Sequence, residues 1–290
     1  MGNRKTVEYN PTSLFSLRDK HTFFFIIYLM DHLQFTIDLA IRCGELLKHY
    51  FDSNNFTSHH KDDQSVVTDA DLAADEFIKN EILAQSPEDG IISEELNTTL
   101  AKPSTNIWVI DPLDGTTNFS LGLYYWGISI ACLVDGYPSF SVMHFPIINE
   151  TYTVQKNHGA FLNCKAINVE PLNPTRPESF FSCCSRTHRL FKVTIPFKPR
   201  ILGSAAYSFC TVAHGISLMA FEATAKIWDI AGVWLLVKEA GGLIEAFSND
   251  KPFPLKTGVD FSKQNYAILA AASPDLLAMA YQRIIPKTHE

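Results

Sequence analysis

The amino-acid sequence predicts a mixed α+β or α/β protein, and three observations support this fold class. Segments with apolar residues at helical spacing stand near both ends of the 290-residue chain. Between them lie several short runs of β-branched and aromatic residues, which are typical of strands. Turn-forming residues separate these runs, and no internal repeat or low-complexity segment interrupts the alternation. We therefore expect one large layered domain or two packed halves.

The first half of the chain predicts two helices followed by an antiparallel meander. Apolar residues recur at helical spacing over residues 33–51, and a second helix opens at Asp71 with Asp69 as its N-cap. The polar residues 54–65 between these helices predict a loop. The predicted strands cover residues 108–111, 127–134, 139–144 and 151–155, with the turn between the second and third at Gly136-Tyr137-Pro138.

The second half of the chain predicts strands that alternate with helices. The predicted strands cover residues 179–182, 199–202, 218–222, 243–245 and 266–269. The predicted helices cover residues 205–213, 228–239 and 274–284. Ser273 is the predicted N-cap of the last helix, because a serine before an apolar-periodic segment satisfies the free N–H groups of the first turn.

The composition argues against several classes of protein. Hydrophobic residues make up 46% of the chain and charged residues 19%, which is ordinary for a globular enzyme and unlike a disordered chain. The formal net charge of −7 gives no general attraction for nucleic acid, so direct nucleic-acid binding is not expected. The six cysteines include no CxxC pair, which favours a reducing, cytoplasmic location.

The N-terminal residues 1–29 are of uncertain status. The apolar run at residues 23–30 is far shorter than the roughly 20 residues of a membrane span. A small-residue cleavage site does not follow it, so a signal peptide is not expected. These residues are either an N-terminal extension or precede a translation start at Met30.

The most informative segment is residues 111–118, with the sequence DPLDGTTN, which follows the apolar run 107–110. It places two carboxylates and two hydroxyls at a turn where a buried strand ends. Two carboxylates this close repel each other unless a cation lies between them. Carboxylates, hydroxyls and backbone carbonyls are hard oxygen ligands that suit Mg²⁺. The segment predicts a magnesium site that handles phosphate, whereas a simple Asp-Pro or Asp-Gly turn would need no metal.

This segment resembles the DPxDGTTN signature of the inositol monophosphatase-like, Mg²⁺-dependent, lithium-sensitive phosphatases. Three further motifs occur in the order that this family shows. VTDAD at residues 67–71 is similar to its VTxxD segment, ISEE at residues 92–95 to its GEE segment, and WDIAG at residues 228–232 to its WDxAG segment. The resemblance covers about residues 31–285. It implies a layered αβαβα sandwich of the inositol monophosphatase and fructose-1,6-bisphosphatase type.

The resemblance also implies how the chain is divided. An α+β half at residues 30–165 would carry most of the metal ligands. An α/β half at residues 166–290 would carry Asp229 and the residues that select the substrate.

By the same resemblance, the active site holds two or three Mg²⁺ ions, and Asp111 is shared between two ligand groups. The first group would hold the ion that activates water and comprises Glu94, Asp111, the carbonyl of Leu113, and Thr116. The second group would hold the ion that faces the leaving oxygen and comprises Asp111, Asp114 and Asp229. Asp71 resembles the residue that pairs with the threonine hydroxyl and orients or deprotonates the water. The predicted catalytic residues are therefore Asp71, Glu94 and Thr116.

Each assignment has a plainer alternative. Asp71 and Asp229 would also suit the first turn of a helix, where acidic residues are favoured. Glu94 would also suit the surface, and its neighbour Glu95 leaves a one-residue ambiguity in the alignment.

The predicted substrate-binding residues combine metal-facing groups with residues from the second half of the chain. They are Asp114, Gly115, Thr116, Gly203, Ser204, Glu222 and Asp229. Glu222 aligns with a glutamate that contacts inositol hydroxyls in the inositol-phosphate members, and otherwise would be an exposed acid at a strand end. Backbone N–H groups near Gly115 and at a helix start after Ser204 would suit phosphate oxygens.

Two departures from the family pattern stand out. Ser93 replaces the usual glycine before Glu94, in the loop that would present this ligand. Arg186, His188, Arg189 and Lys192 form a basic patch, which would contact a second phosphate or form a solvated surface.

The sequence thus favours a Mg²⁺-dependent phosphatase of a small polyol phosphate, with myo-inositol 1-phosphate as the favoured substrate. The alternatives are histidinol phosphate, a nucleotide 3′-phosphate or fructose 1,6-bisphosphate as substrate, or a regulatory metal-binding partner protein of the same fold. The resemblance further implies inhibition by Li⁺ and a homodimer, for which the apolar residues 124–126 would provide a contact unless they fill the core.

Overall fold

A computed structural model describes residues 20–53, 55–60, 66–170, 179–248 and 250–287. The helices are α1 (Lys20–Ser53), α2 (Asp69–Gln85), α3 (Thr116–Ser120), α4 (Thr187–Leu190), α5 (Ala205–Ala213), α6 (Ile227–Glu239) and α7 (Pro274–Arg283). The strands of the first half are β1 (Ser58–His60), β2 (Val66–Thr68), β3 (Gly90–Ser93), β4 (Asn106–Asp114), β5 (Gly127–Val134), β6 (Tyr137–Phe145), β7 (Glu150–Gln155), β8 (Ala160–Leu162) and β9 (Lys165–Ile167). Those of the second half are β10 (Phe180–Cys183), β11 (Phe191–Val193), β12 (Lys198–Arg200), β13 (Ser217–Ala225), β14 (Leu243–Ala246), β15 (Tyr266–Ala271) and β16 (Ile284–Pro286).

Two large sheets form the framework of the fold. The first has seven strands in the order β3-β4-β5-β6-β7-β8-β9 and is antiparallel except for the parallel pair β3–β4. The second has five strands in the order β12-β10-β13-β15-β14, in which β10 runs parallel to both its neighbours. The change from one sheet to the other falls between β9 and β10.

The helices form layers outside and between these sheets. Helices α1 and α2 cover the outer face of the first sheet through a cluster that includes Leu39, Ile78 and Trp108. Helices α5 and α6 lie between the two sheets, in a core that joins Val109 of the first sheet to Ile268 of the second. Helix α7 covers the remaining face of the second sheet. This order of layers confirms the predicted αβαβα sandwich.

Several predicted elements agree with the structure, including the helix at 205–213 and the strand at 127–134. Ser273 caps α7 as predicted, since its side chain accepts a hydrogen bond from the N–H of Leu276. The predicted start of the first helix at residue 33 was wrong, because α1 begins at Lys20. Residues 20–32 contain no proline or glycine that would end a helix. Residues 1–19 of the N-terminal segment lie outside the described residues.

Three local predictions in the first half were also wrong. The segment predicted as a loop contains β1, which exists by pairing with β2, while residues 54 and 61–65 lie outside the described part. The turn after β5 is formed by Asp135 and Gly136, so that residues 137 and 138 already belong to β6. The N-cap of α2 is Thr68 rather than Asp69.

Within the described ranges, the structure has no helix with the length and apolar character needed to span a bilayer.

Candidate active site

The candidate site begins where β4 ends. The pairing of β4 with β5 shifts register between Asp111 and Asp114, which is how a bulge turns side chains to a new direction. Gly115 then adopts a φ of 91°, and a Cβ at this position would lie 2.9 Å from the carbonyl oxygen of Tyr125. Only glycine satisfies both conditions, so the DG pair of the motif is required by the backbone.

Three carboxylates meet at this turn. Oxygen atoms of Asp111, Asp114 and Asp229 all lie within 4.8 Å of one another. Burial and neighbouring negative charges raise the pKa of Asp111 well above its ordinary value. For the same main reason, the pKa of Asp114 rises to about 6 and that of Asp229 to about 8. Asp111 and Asp114 lie in β4, whereas Asp229 belongs to α6, more than 100 residues further along the chain.

Asp229 reaches the site from the first turn of α6. Its Oδ2 accepts a hydrogen bond of 2.7 Å from the N–H of Lys226, the N-cap residue. The helix-start interpretation and the ligand interpretation are therefore compatible, because the bond leaves the second carboxylate oxygen available to the site.

The N-terminus of α5 holds Asp114. The N–H groups of Ala205 and Ala206 donate to its two oxygens at 3.0 and 3.1 Å, and the hydroxyl of Ser204 donates to Oδ2. The N–H of Tyr207 is capped by Ser204. The helix start after Ser204, which we expected to be open to a phosphate, is thus engaged by a carboxylate in this structure.

Asp71 and Thr116 form the pair that the motifs predict. The Oγ1 of Thr116 lies 2.8 Å from Oδ1 of Asp71 and 3.0 Å from the carbonyl oxygen of Leu113. The other oxygen of Asp71 accepts bonds from the N–H and hydroxyl of Thr68, which completes the capping box of α2. Burial raises the pKa of Asp71 to about 6, although the bonds from Thr68 and Thr116 lower it. Asp71 therefore both caps a helix and faces the turn.

Glu94 lies next to the same cluster. Its N–H donates to the carbonyl oxygen of Ile110, the residue before Asp111, at 3.2 Å. Its negative charge is among the causes that raise the pKa of four carboxyls, namely Asp71, Asp111, Asp114 and Asp229. Glu94 is half-buried, so the structure does not support the alternative of a solvated surface acid.

Glu222 lies in the middle of β13 and is only 6% exposed, so the alternative of an exposed strand-end acid was wrong. Burial, the neighbouring Cys184 and the charges of Asp229 and Asp114 raise its pKa well above the ordinary value. These interactions place Glu222 beside the three-carboxylate cluster. The thiol of Cys184, which was not among the predicted site residues, accepts a hydrogen bond from the N–H of Ala223 and lies next to Glu222.

Gly203 and Asn118 join two loops at the edge of the site. The side-chain amide of Asn118 donates to the carbonyl oxygens of Tyr125, at 2.6 Å, and Leu202, at 2.8 Å. Gly203 has a φ of 77°, and a Cβ there would lie 2.5 Å from Oδ1 of Asn118. Sequence reasoning assigned no role to Asn118, although its place inside the DPLDGTTN segment was the available signal.

The basic patch divides into two parts. Arg186 is half-buried and donates to the hydroxyl of Thr224, which lies two residues beyond Glu222 on β13. His188, Arg189 and Lys192 are exposed on α4 and β11, which favours the interpretation of a solvated surface for them.

Comparison with known proteins agrees with this geometry. The model of the inositol monophosphatase family matches residues 29–278. The chain is 33% identical over 271 residues to a Nus factor SuhB from Pasteurella multocida, covering 88% of this chain and 96% of that protein. It is 32% identical to a histidinol-phosphatase from Chlorobaculum parvum, over 72% of this chain and 83% of that one.

Among solved structures, an IMPase from Thermotoga maritima superposes with a TM-score of 0.71 at 27% identity, over 87% of this chain and 97% of that chain. The match to the family model over most of the chain, together with these relatives, settles its membership. The chain belongs to the inositol monophosphatase family and is a phosphatase of that family.

Proposed function

We propose that this protein hydrolyses the phosphate monoester of a small polyol with the help of Mg²⁺, and that myo-inositol 1-phosphate is the favoured substrate. One observation carries the proposal. Asp111, Asp114 and Asp229 come from distant parts of the chain and lie within 4.8 Å of one another, with a buried Glu222 beside them. Buried carboxylates at this density are costly unless a cation or protons neutralise them.

The residues present fit a hard divalent cation. The donor set consists of carboxylate oxygens, a hydroxyl and a backbone carbonyl, which is the chemistry that Mg²⁺ prefers over Zn²⁺. We assign Glu94, Asp111, the carbonyl of Leu113 and Thr116 to one ion, and Asp111, Asp114 and Asp229 to a second. When bound, Mg²⁺ supplies the positive charge that lowers the pKa of a water molecule and stabilises the phosphate oxygens.

The protein's own side chains would orient the reaction. The hydroxyl of Thr116 donates a hydrogen bond to Oδ1 of Asp71, so the lone pairs of this hydroxyl are directed away from Asp71. In this orientation the oxygen of Thr116 can accept a hydrogen bond from an attacking water. As the water loses a proton to this oxygen, Thr116 would pass its own hydroxyl proton to Asp71. Asp114 is fixed by the three donors at the start of α5, which limits its movement during the reaction.

The alcohol part of the substrate would lie against Glu222. A buried carboxylate accepts hydrogen bonds from two vicinal hydroxyls, and leaving it unpaired in a complex is unfavourable. Gly115, Gly203 and Ser204 would border the phosphate, since glycines allow close approach of the backbone. This arrangement favours a polyol over an alcohol without hydroxyls.

Phosphate release from a substrate panel tests the proposal. The purified full chain would be assayed with and without Mg²⁺ against myo-inositol 1-phosphate, histidinol phosphate, a nucleoside 3′-phosphate and fructose 1,6-bisphosphate. We expect release from myo-inositol 1-phosphate only when Mg²⁺ is present. Equal turnover in a chelator would remove the metal assignment, and preference for another ester would replace the substrate.

Histidinol phosphate is the second candidate, because relatives at 32% and 30% identity are histidinol-phosphatases. Glu222 offers a discriminating variant. If the substrate is a polyol, Glu222→Gln should raise KM while leaving a neutral acceptor in place. If the substrate carries an ammonium group, the loss of negative charge should be much more harmful, since Coulomb attraction disappears as well.

A regulatory role remains a separate proposal, because another relative is named as a Nus factor. Pull-down from native extract, compared with turnover of an Asp111→Asn variant, discriminates it. A specific partner retained by a variant without phosphatase activity would favour the regulatory role.

We further propose a homodimer, inhibition by Li⁺ and a cytoplasmic location. Leu121, Leu123, Tyr124 and Tyr125 are exposed next to one another, whereas Trp126 is fully buried in the core. Exposed apolar patches of this kind are typical of interfaces, and light scattering of wild type and Tyr124→Ser would test the dimer. All six cysteines lie in the described part and are free, which supports a reducing compartment.

A further inference from the structure

Asp75 is a buried carboxylate that the proposed chemistry does not use. It lies on α2, one helical turn after Asp71, and its relative exposure is 0%. Its Oδ2 accepts hydrogen bonds from two consecutive backbone N–H groups, that of Glu95 at 3.1 Å and that of Leu96 at 3.0 Å. A buried carboxylate is costly to retain, and here its bonds fix the chain directly after Glu94.

The turn that carries Glu94 is closed at its base by a second set of bonds. The N–H of Ser93 donates to the carbonyl oxygen of Asn97 at 2.8 Å, and the N–H of Asn97 donates to Oγ of Ser93 at 3.1 Å. Ser93 stands where the family pattern has glycine, so its hydroxyl adds a bond that glycine lacks. Leu96, at the tip, is 45% exposed and gains little from packing. Asp75 therefore supplies the hydrogen bonds at the tip of the turn, in addition to those that close its base.

We infer that Asp75 is a positioning residue, which holds the turn 93–97 so that Glu94 faces the metal-binding cleft. The inference rests on the proposed function, in which Glu94 is a metal ligand. One face of α2 then positions two separate segments. Asp71 holds Thr116 at the start of α3, and Asp75 holds the turn after β3. Since Asp75 reaches this turn through hydrogen bonds to two backbone N–H groups, we expect an acceptor oxygen at this position to matter more than its charge.

The experiment measures Mg²⁺ affinity by calorimetry on the full chain without substrate, and the melting temperature without metal. Asp75→Ala removes both bonds and should weaken Mg²⁺ binding about 10- to 100-fold, the usual range for residues that orient a ligand. Asp75→Asn retains an acceptor oxygen and should stay within about threefold of wild type. The matched control is Ala74→Gly, at the neighbouring buried position of α2, which should lower the melting temperature and leave Mg²⁺ affinity unchanged.

Three outcomes would overturn the inference: wild-type affinity in Asp75→Ala, an equal loss in Asp75→Asn, or an equal loss in Ala74→Gly. If Asp75→Ala does not fold, Asp75→Ser, whose shorter side chain cannot span to both N–H groups, takes its place. Glu94→Gln separates the two levels of the argument. If wild type binds no Mg²⁺, or Glu94→Gln binds it as wild type does, the ligand set of the proposed function is wrong, whatever Asp75 does.

Discussion

Acidic side chains occupy two opposite environments in this protein. In the cleft, Asp111, Asp114 and Asp229 have pKa values raised by burial and by one another. At the surface, hydrogen bonds from Ser262, Lys263 and Thr98 lower the pKa of Asp260. The surface acid stabilises the fold, whereas the cleft acids oppose it. Groups that a fold retains at a cost to stability are concentrated at functional sites, which is how the two regions can be told apart.

Replacing one aspartate by asparagine in each region should give the largest contrast in activity. Asp111→Asn should lower kcat by a factor on the order of 10³, because a shared ligand of two ions stabilises the transition state by several kcal/mol. Its metal-free stability should equal or exceed that of wild type, since one buried like charge is removed. Phosphate release and urea unfolding would be measured side by side.

Asp260→Asn is the control for this experiment. It should keep full activity, because Asp260 contacts Thr98 and residues 262 and 263 rather than the cleft. Wild-type turnover by a folded Asp111→Asn protein would show that the acidic cluster is not catalytic.

Burial raises the pKa of the cleft acids but should lower the pKa of a buried base. His144 provides a test of this difference. Desolvation lowers its pKa to about 4, and its Nδ1 lies 2.9 Å from Oγ1 of Thr151. The folded state therefore binds fewer protons than the unfolded state, whose histidine has its ordinary pKa of about 6.5. Stability should be complete above that value and fall as the pH decreases toward 4, by about 3 kcal/mol in total.

The comparison protein for this test is His144→Gln, which has no titrating group. Unfolding free energies of both proteins would be measured by urea titration between pH 7 and pH 4. The difference between them should change across this window. Parallel curves would show that burial of His144 does not govern its protonation.

An element can be predicted from the sequence when residues within its own segment define it, and not when a distant partner does. The helix at 205–213 and the strand at 127–134 were predicted at their observed bounds, because periodicity within each segment defines them. The strand at 58–60 was missed, since it consists of three residues that are a strand only through their partner. The cap of α2 was displaced by one residue, because Thr68 and Asp69 are both good caps and the reciprocal bond with Asp71 decides between them.

The site shows the same limit. Spacing alone indicated a turn with two carboxylates, and only the resemblance connected Glu94 and Asp229 to it. The meeting of these residues arises from tertiary structure: β3 runs parallel to β4, and α6 packs against the same sheet. The burial of Glu222 could not be predicted from the sequence either, since nothing in the neighbouring residues distinguishes a buried strand residue from an exposed one.

A divalent cation should reduce the free-energy cost of burying the cleft acids. At a Mg²⁺ concentration 100-fold above its dissociation constant, binding to the folded state alone contributes about 2.7 kcal/mol. The melting temperature of wild type should therefore rise by several degrees in a thermal scan. Asp111→Asn should show a much smaller shift, and Asp260→Asn should respond as wild type does. An equal shift in all three proteins would place the bound ion outside the cleft.

The smallest expected effect concerns the surface acid itself. Because the folded pKa of Asp260 lies below its unfolded value of about 3.8, its carboxylate stabilises the fold above that pH, and this contribution is lost as the pH falls further. Asp260→Asn should thus be slightly less stable than wild type at pH 7, and the difference should shrink below pH 4. Added salt should also reduce the difference, since Lys263, whose Nζ lies 3.1 Å from Oδ2 of Asp260, has a side chain that is 78% exposed. Urea unfolding at low and high salt would measure this. A variant more stable than wild type at pH 7 would mean that this acid, like those of the cleft, opposes folding, and that the contrast between the two regions does not hold.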